Sequence, residues 1–249
     1  MTFWEHLDEL RDVLLRVIAV FAVVCIICFV FKDHLFGIIF WPTKATFPIY
    51  RFLGGIVGNL ENICPPTVSI INTELTGQLI AHMKMSASAA VVICVPYFFF
   101  ELGYYLWPAL YPRERRAVRF ALVGGMMLFY CGMLISYFLV FPLAYRFLLV
   151  YEVSESISNM ISLSSYTDTL FLLCLLMGIL FELPIVAVAL AKLGLVDSQF
   201  LRRYRRHAIL LIVVVAAVVT PTTDIFTLLL VVLPVYLLYE VSIWAVRRK

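Results

Sequence analysis

The chain has 249 residues, of which 63% are hydrophobic and only 14% charged, with a formal net charge of +3 and a mean hydropathy of +1.01. Soluble domains carry about 25% charged residues, so this composition excludes a soluble globular protein and makes lipid the solvent for much of the chain. The length fits one membrane domain, 1–249, and leaves no room for a separate soluble one.

The first element is amphipathic. Thr2-Phe3-Trp4-Glu5 has capping-box spacing, Phe3, Leu7, Leu10 and Leu14 share one helical face, and Glu5, Asp8, Glu9 and Asp12 share another. This predicts a cytoplasmic helix over 1–12 that runs into the first span, with no cleavable leader. An acidic stripe is repelled by anionic lipid and suits a cationic partner. The plain structural alternative is a solvated face balanced by Arg11 and Arg16.

Six apolar runs follow, predicting spans over 13–31, 85–107, 120–141, 170–190, 208–220 and 225–246. The first four are long enough for a hydrocarbon core about 30 Å thick. The fifth has 13 residues, which rise only about 20 Å as a helix. The sixth is interrupted by Pro234 and Glu240, and the turn Thr220-Pro221-Thr222-Thr223-Asp224 separates the two. The expected fold class is an all-α integral membrane protein with six transmembrane helices. Its last two helices are short, which implies a locally thinned bilayer.

The basic residues set the orientation. Arg11, Arg16, the four arginines between 113 and 119, Lys192, the four arginines between 202 and 206, Arg247, Arg248 and Lys249 make fourteen on one side. Lys32, Lys44, Arg51, Lys84 and Arg146 make five on the other. The excess puts both termini in the cytoplasm and leaves two outer loops, 32–84 and 142–166. Five of the six cysteines lie inside apolar runs, where they act as small hydrophobes and not as a disulfide framework.

Two carboxyls stand out besides the N-terminal stripe. Glu114 is the only acid in the turn Trp107–Arg116, stiffened by Pro108 and Pro112; it is either an ion-pair partner of its arginine neighbours or a docking point for a cationic ligand. Glu182 lies deep in the fourth run, where an ionisable group is a functional candidate by default. Pro184 cannot donate to the carbonyl of Leu180, so carboxyl and freed carbonyl together make a polar spot inside the membrane. No phosphate-binding Gly-x-x-x-x-Gly-Lys-Ser/Thr occurs, the four histidines lack metal spacing, and no nucleophile–base pair appears. The expectation is a non-enzyme without cofactor, metal or nucleic-acid partner.

In this order the features resemble the TatC family, the large multispanning subunit of twin-arginine protein translocases. The residues that carry the resemblance begin with His6-Leu7-x-Glu9-Leu10-Arg11 and Pro108-Ala109-Leu110-Tyr111-x-x-Glu114-Arg115-Arg116. Phe129-Tyr130-x-Gly132, Phe141-Pro142-Leu143, Phe181-Glu182-x-Pro184 and Thr220-Pro221 with Asp224 complete them. Two positions depart from the family pattern: the turn reads Thr-Pro-Thr-Thr-Asp where many relatives have Thr-Pro-Pro-Asp, and Leu228 stands where some have glutamine.

The resemblance implies a translocase subunit of the inner membrane that recognises signal peptides with paired arginines on folded cargo and nucleates a complex driven by the proton-motive force. It further implies small single-span partners of the TatA and TatB type, and homo-oligomers within the larger assembly. By motif, Glu9, Leu10, Arg11, Glu114 and Arg115 would form the signal-binding surface, and Glu182 the intramembrane carboxylate. Pro42, Pro96, Pro184, Thr220, Pro221 and Asp224 would be structural or partner-contact positions. Two guanidiniums call for two carboxylate sites, because arginine binds carboxylates in a fork that lysine cannot copy. The rival is a proton- or ion-coupled transporter of small solutes with Glu182 as its coupling site, although the internal repeat common in such folds is missing.

Overall fold

Helix α1 runs unbroken over Phe3–Val30. No glycine or proline occurs in that stretch, so the acidic amphipathic segment runs into the first apolar run as one rod, as its sequence predicts. The computed structural model describes residues 3–57, 70–107, 112–151, 160–192, 196–219 and 224–247. The segment after α1, expected as an outer loop with room for short helices, holds α2 (Lys32–Ile39), a 3-10 turn at Trp41–Thr43 and α3 (Pro48–Val57). Strand β1 (Ile70–Ile71) precedes α4 (Gly77–Leu106), which carries Pro96 in its interior.

Helix α5 (Pro112–Ile135) starts on a proline, whose missing amide costs nothing at a first helical position. It does not end at the apolar run's limit. A π-helical stretch, Ser136–Val140, passes the chain into α6 (Phe141–Val150), where Pro142 again lies in the first turn. The proline that marks a boundary in the sequence therefore begins a helix instead of ending one. Strand β2 (Ile161–Ser162) pairs in parallel with β1, Ile70 opposite Ile161. Then come α7 (Leu163–Leu180), α8 (Leu183–Lys192), α9 (Ser198–Arg203), α10 (Arg205–Val219) and α11 (Ile225–Arg247).

Among the described residues, five helical stretches have the length and apolarity to cross a membrane: Asp8–Val30, Gly77–Leu106, Val118–Val150, Leu163–Lys192 and Ile225–Val246. Helix α10 has 15 residues, below the number, about 20, that spans an unperturbed core, but α11, expected to be short as well, has 23 and continues through Pro234. Large side chains such as Ile26 and Val30 on α1 stand 66% and 70% exposed, which is stable only against lipid.

The chain divides into two compact units, Met1–Phe36 with Leu79–Met127, and Gly37–Gln78 with Leu128–Lys249. In the first, Phe29 stacks on His82 with ring centroids 4.0 Å apart, joining α1 to α4. In the second, α11 packs against α6, α7, α8, α9 and α10.

Three tyrosine hydroxyls pin the short segments of the second unit. Tyr137 donates to the carbonyl of Ile38 at 2.6 Å and Tyr166 to that of Ile39 at 2.7 Å. The hydroxyl of fully buried Tyr50 lies 3.2 Å from the carbonyl of Pro42 and 3.1 Å from that of Pro142. The carbonyls of Ile38 and Ile39 sit at the C-terminal end of α2, where no amide of a next turn reaches them. Phe47, also fully buried, stacks on Phe138 of the π stretch at 5.5 Å. Replacing Tyr50 by phenylalanine keeps the ring and removes the hydroxyl that both carbonyls share. It should cost about 1–3 kcal/mol, read as a lower thermal midpoint of the detergent-purified chain; an unchanged midpoint would mean that the two bonds contribute nothing.

Candidate functional site

Of the N-terminal candidates, Leu10 is exposed and Arg11 is held locally, its guanidinium 3.6 Å from Asp8 and 3.3 Å from Asp12. Glu9, part-exposed on the same turn of α1, is also engaged. The expectation that Arg11 balances the acidic stripe agrees with these contacts. Arg16 behaves differently. Its Nε donates to the Asp12 carbonyl at 3.3 Å, but its Nη2 turns to Glu101 of α4, 3.5 Å from Oε2. Its guanidinium carbon also lies 5.6 Å from the ring centroid of Tyr104.

Glu101 is the residue that sequence reasoning missed. It is 4% exposed, and the Tyr97 hydroxyl one helical turn earlier donates to its Oε1 at 2.8 Å. A carboxylate this buried persists only with a cation and a hydrogen-bond donor beside it, and Arg16 and Tyr97 supply both. The signal was available: Glu101 is the only acid in the run 85–107, and the rule that singled out Glu182 applies to it equally.

Glu114 lies in the first turn of α5, and its side chain is outside the described residues. Arg115 next to it stacks on Trp107, its guanidinium carbon 5.3 Å from the ring centroid, and Arg119 one turn on does the same at 5.2 Å. Cation–π contacts at this distance fix both guanidiniums at one end of α4 and α5.

Glu182 stands at a break. Helix α7 stops at Leu180 and α8 begins at Leu183, because buried Pro184 has no amide to continue the ladder. The Glu182 amide donates to the Ile179 carbonyl at 3.1 Å, and the amides of Ile185 and Val186 both donate to the Glu182 carbonyl at 3.0 Å. Carboxyl oxygen Oε1 is buried without a hydrogen-bond partner among the described residues. Glu182 therefore has a spare acceptor beside the break.

Of the remaining positions, Pro42 and Asp224 make structural contacts. Pro42 is buried in the 3-10 turn under Tyr50, and Pro96 lines a groove between α4 and α5. Thr220 and Pro221 lie outside the described residues. Asp224 caps α11: its Oδ2 accepts from the Thr227 amide at 2.6 Å. Removing that cap with Asp224→Ala should cost about 1 kcal/mol, visible as faster amide exchange in the first turn of α11. The basic cluster 202–206 holds a further unexpected pair, in which Arg205 Nη2 donates to Glu240 Oε2 at 2.7 Å while the Tyr236 hydroxyl donates to Oε1 at 3.1 Å. The acid that shortens the last apolar run thus anchors the start of α10 on α11.

Comparison with known proteins bears on what this arrangement does. The family model described as Sec-independent protein translocase protein (TatC) matches residues 5–234. A relative of that name from Desulforapulum autotrophicum is 32% identical over 98% of this chain and 84% of its own length. Another, from Aquifex aeolicus, is 31% identical over 100% of this chain and 98% of its own. A crystal structure of the twin-arginine translocase receptor TatC superposes with a TM-score of 0.78 at 31% identity, covering 98% of both chains. The solute-transporter alternative finds no support among these proteins. With the family model matched over nearly its whole length and the solved receptor sharing its fold, the chain belongs to the TatC family of Sec-independent protein translocase proteins.

Proposed function

We propose that this chain is the receptor subunit of a twin-arginine translocase, binding signal peptides that carry paired arginines. The observation that carries the proposal is the likeness to the solved receptor over 98% of both chains. Glu9 on α1 and Glu114 at the start of α5 are the carboxylates assigned to the two guanidiniums. Leu10 is exposed beside Glu9 and offers apolar contact. Arg11 is neutralised locally by Asp8 and Asp12 and Arg115 is drawn onto Trp107, which reduces their repulsion of a cationic peptide. Both termini face the cytoplasm in this proposal, supported by the fourteen-to-five division of lysines and arginines. Small single-span subunits dock on the pair α10 and α11, several copies of the chain share one complex, and the proton-motive force drives transport. Glu182, with its spare buried oxygen, supplies the intramembrane polar site.

Photocrosslinkers placed beside Glu9 and Glu114 in the assembled complex test this. Crosslinks to a twin-arginine signal peptide should fall about tenfold or more when both peptide arginines become lysines, because the forked double contact is lost. Glu9→Gln with Glu114→Gln should cause a similar fall. Undiminished crosslinking after either change would sink the assignment.

A further inference from the structure

The groove between α4 and α5 is not accounted for by signal recognition. Its volume is about 680 Å³, within the range of cavities that hold an extended apolar ligand. Gly103 opens it, since a β-carbon there would stand 2.9 Å from Leu122 Cδ1. The walls are Phe99, Phe100, Tyr104, Leu122, Val123 and Met126, and Trp107 and Arg119 also line it. Phe100 and Val123 are 69% and 51% exposed, so the opening faces whatever surrounds the helices, which in a membrane is lipid. Among the described residues no carboxylate lines it, and Glu101 on α4 is already engaged by Arg16 and Tyr97.

At Trp107 the chemistry changes sign. The indole holds Arg115 and Arg119 within 5.3 and 5.2 Å. Arg115 Nε is buried and has no hydrogen-bond partner among the described residues. Two fixed guanidiniums, one with an unused N–H, above an apolar slot between membrane helices form a receptor for an anion joined to a hydrocarbon chain. We propose that this groove binds an anionic phospholipid, its phosphate held by Arg115 and Arg119 and one acyl chain lying along Gly103 between α4 and α5. The apolar segment of a signal peptide is the competing occupant, and the positive charge at the groove's head disfavours the cationic peptide end that would come with it.

The test uses the full chain in detergent, with Trp4, Trp41 and Trp244 changed to phenylalanine so that Trp107 alone emits. Brominated phosphatidylglycerol should quench Trp107 at a concentration about thirtyfold lower than brominated phosphatidylcholine, the factor expected from two basic residues beside one anionic headgroup. Arg115→Gln with Arg119→Gln should abolish that preference, whereas Arg115→Lys with Arg119→Lys should keep most of it. Val123→Phe fills the slot without touching charge and should weaken quenching by both lipids. Equal quenching by the two lipids in the parent chain overturns the proposal. So does an anionic preference that survives loss of both arginines, and so does displacement of the brominated lipid by a synthetic twin-arginine signal peptide, which would give the groove to the peptide.

Discussion

Valine at position 132 should leave little folded protein in the membrane. A β-carbon on Gly132 would stand 2.5 Å from the Met177 carbonyl oxygen and 2.6 Å from Phe181 Cγ. The first of these atoms is backbone and cannot swing aside. That same oxygen accepts the Phe181 amide at 3.0 Å, the bond that closes α7 just before the break at Glu182. Gly178 meets α5 in the reverse sense, where a β-carbon would lie 2.8 Å from the Phe129 ring. Two helices interlock through two missing side chains, the way close helix pairs form in lipid, where packing and not water exclusion drives association. Three extra carbons here force α5 and α7 apart, at a cost of about 3 kcal/mol or more. The yield of monodisperse protein and its thermal midpoint report the loss. Gly37→Ala is the control, since nothing lies within 4 Å of its added carbon, and its effect should stay within about 0.5 kcal/mol. If the Gly132 and Gly37 variants behaved alike, the interlock would be wrong.

Arg16→Leu should cost about 2 kcal/mol. It leaves the Glu101 carboxylate, 4% exposed, with the Tyr97 hydroxyl as its remaining partner, and an uncompensated buried charge is among the costliest single changes. The figure sits below the 3–5 kcal/mol typical of a fully buried pair because the Arg16 side chain is 46% exposed. Arg16→Leu with Glu101→Leu removes both charges and puts apolar groups where lipid and aromatic rings already lie. The double variant should therefore recover most of the loss, giving a coupling of more than about 1 kcal/mol in a double-mutant cycle read from thermal midpoints. Additive losses would show that the two side chains do not depend on each other.

How far the sequence reaches can be followed residue by residue. The membrane class is legible in composition alone, because no water-exposed surface could hold 63% hydrophobic residues. The break beside Glu182 is legible because proline's missing amide acts within one turn. Contacts between distant residues leave no local pattern. Tyr166 and Ile39 are 127 positions apart and Arg205 and Glu240 35, so neither bond shows as periodicity or spacing. Pro142 misleads for a different reason. Proline inside a helix is costly and at its start is free, and the sequence does not say that a π stretch makes Pro142 a beginning. Glu101 was legible and overlooked: Phe100-Glu101-Leu102 recurs as Phe181-Glu182-Leu183, but three residues in an apolar chain are weak evidence, and no proline stands two residues after Glu101 as Pro184 does after Glu182.

The π stretch at Ser136–Val140 also sets a rotational phase. An α-helix advances about 100° per residue, so one residue taken up in a wider turn rotates everything downstream by nearly a third of a circle relative to an unbroken rod. The same continuous helix can then aim Gly132 at α7 and, farther along, hold Ala144, Tyr145 and Leu149 buried. Deleting one residue from 136–140 would tighten the coil into a regular helix, turn the face that follows away from its seat, and leave the upstream face where it is.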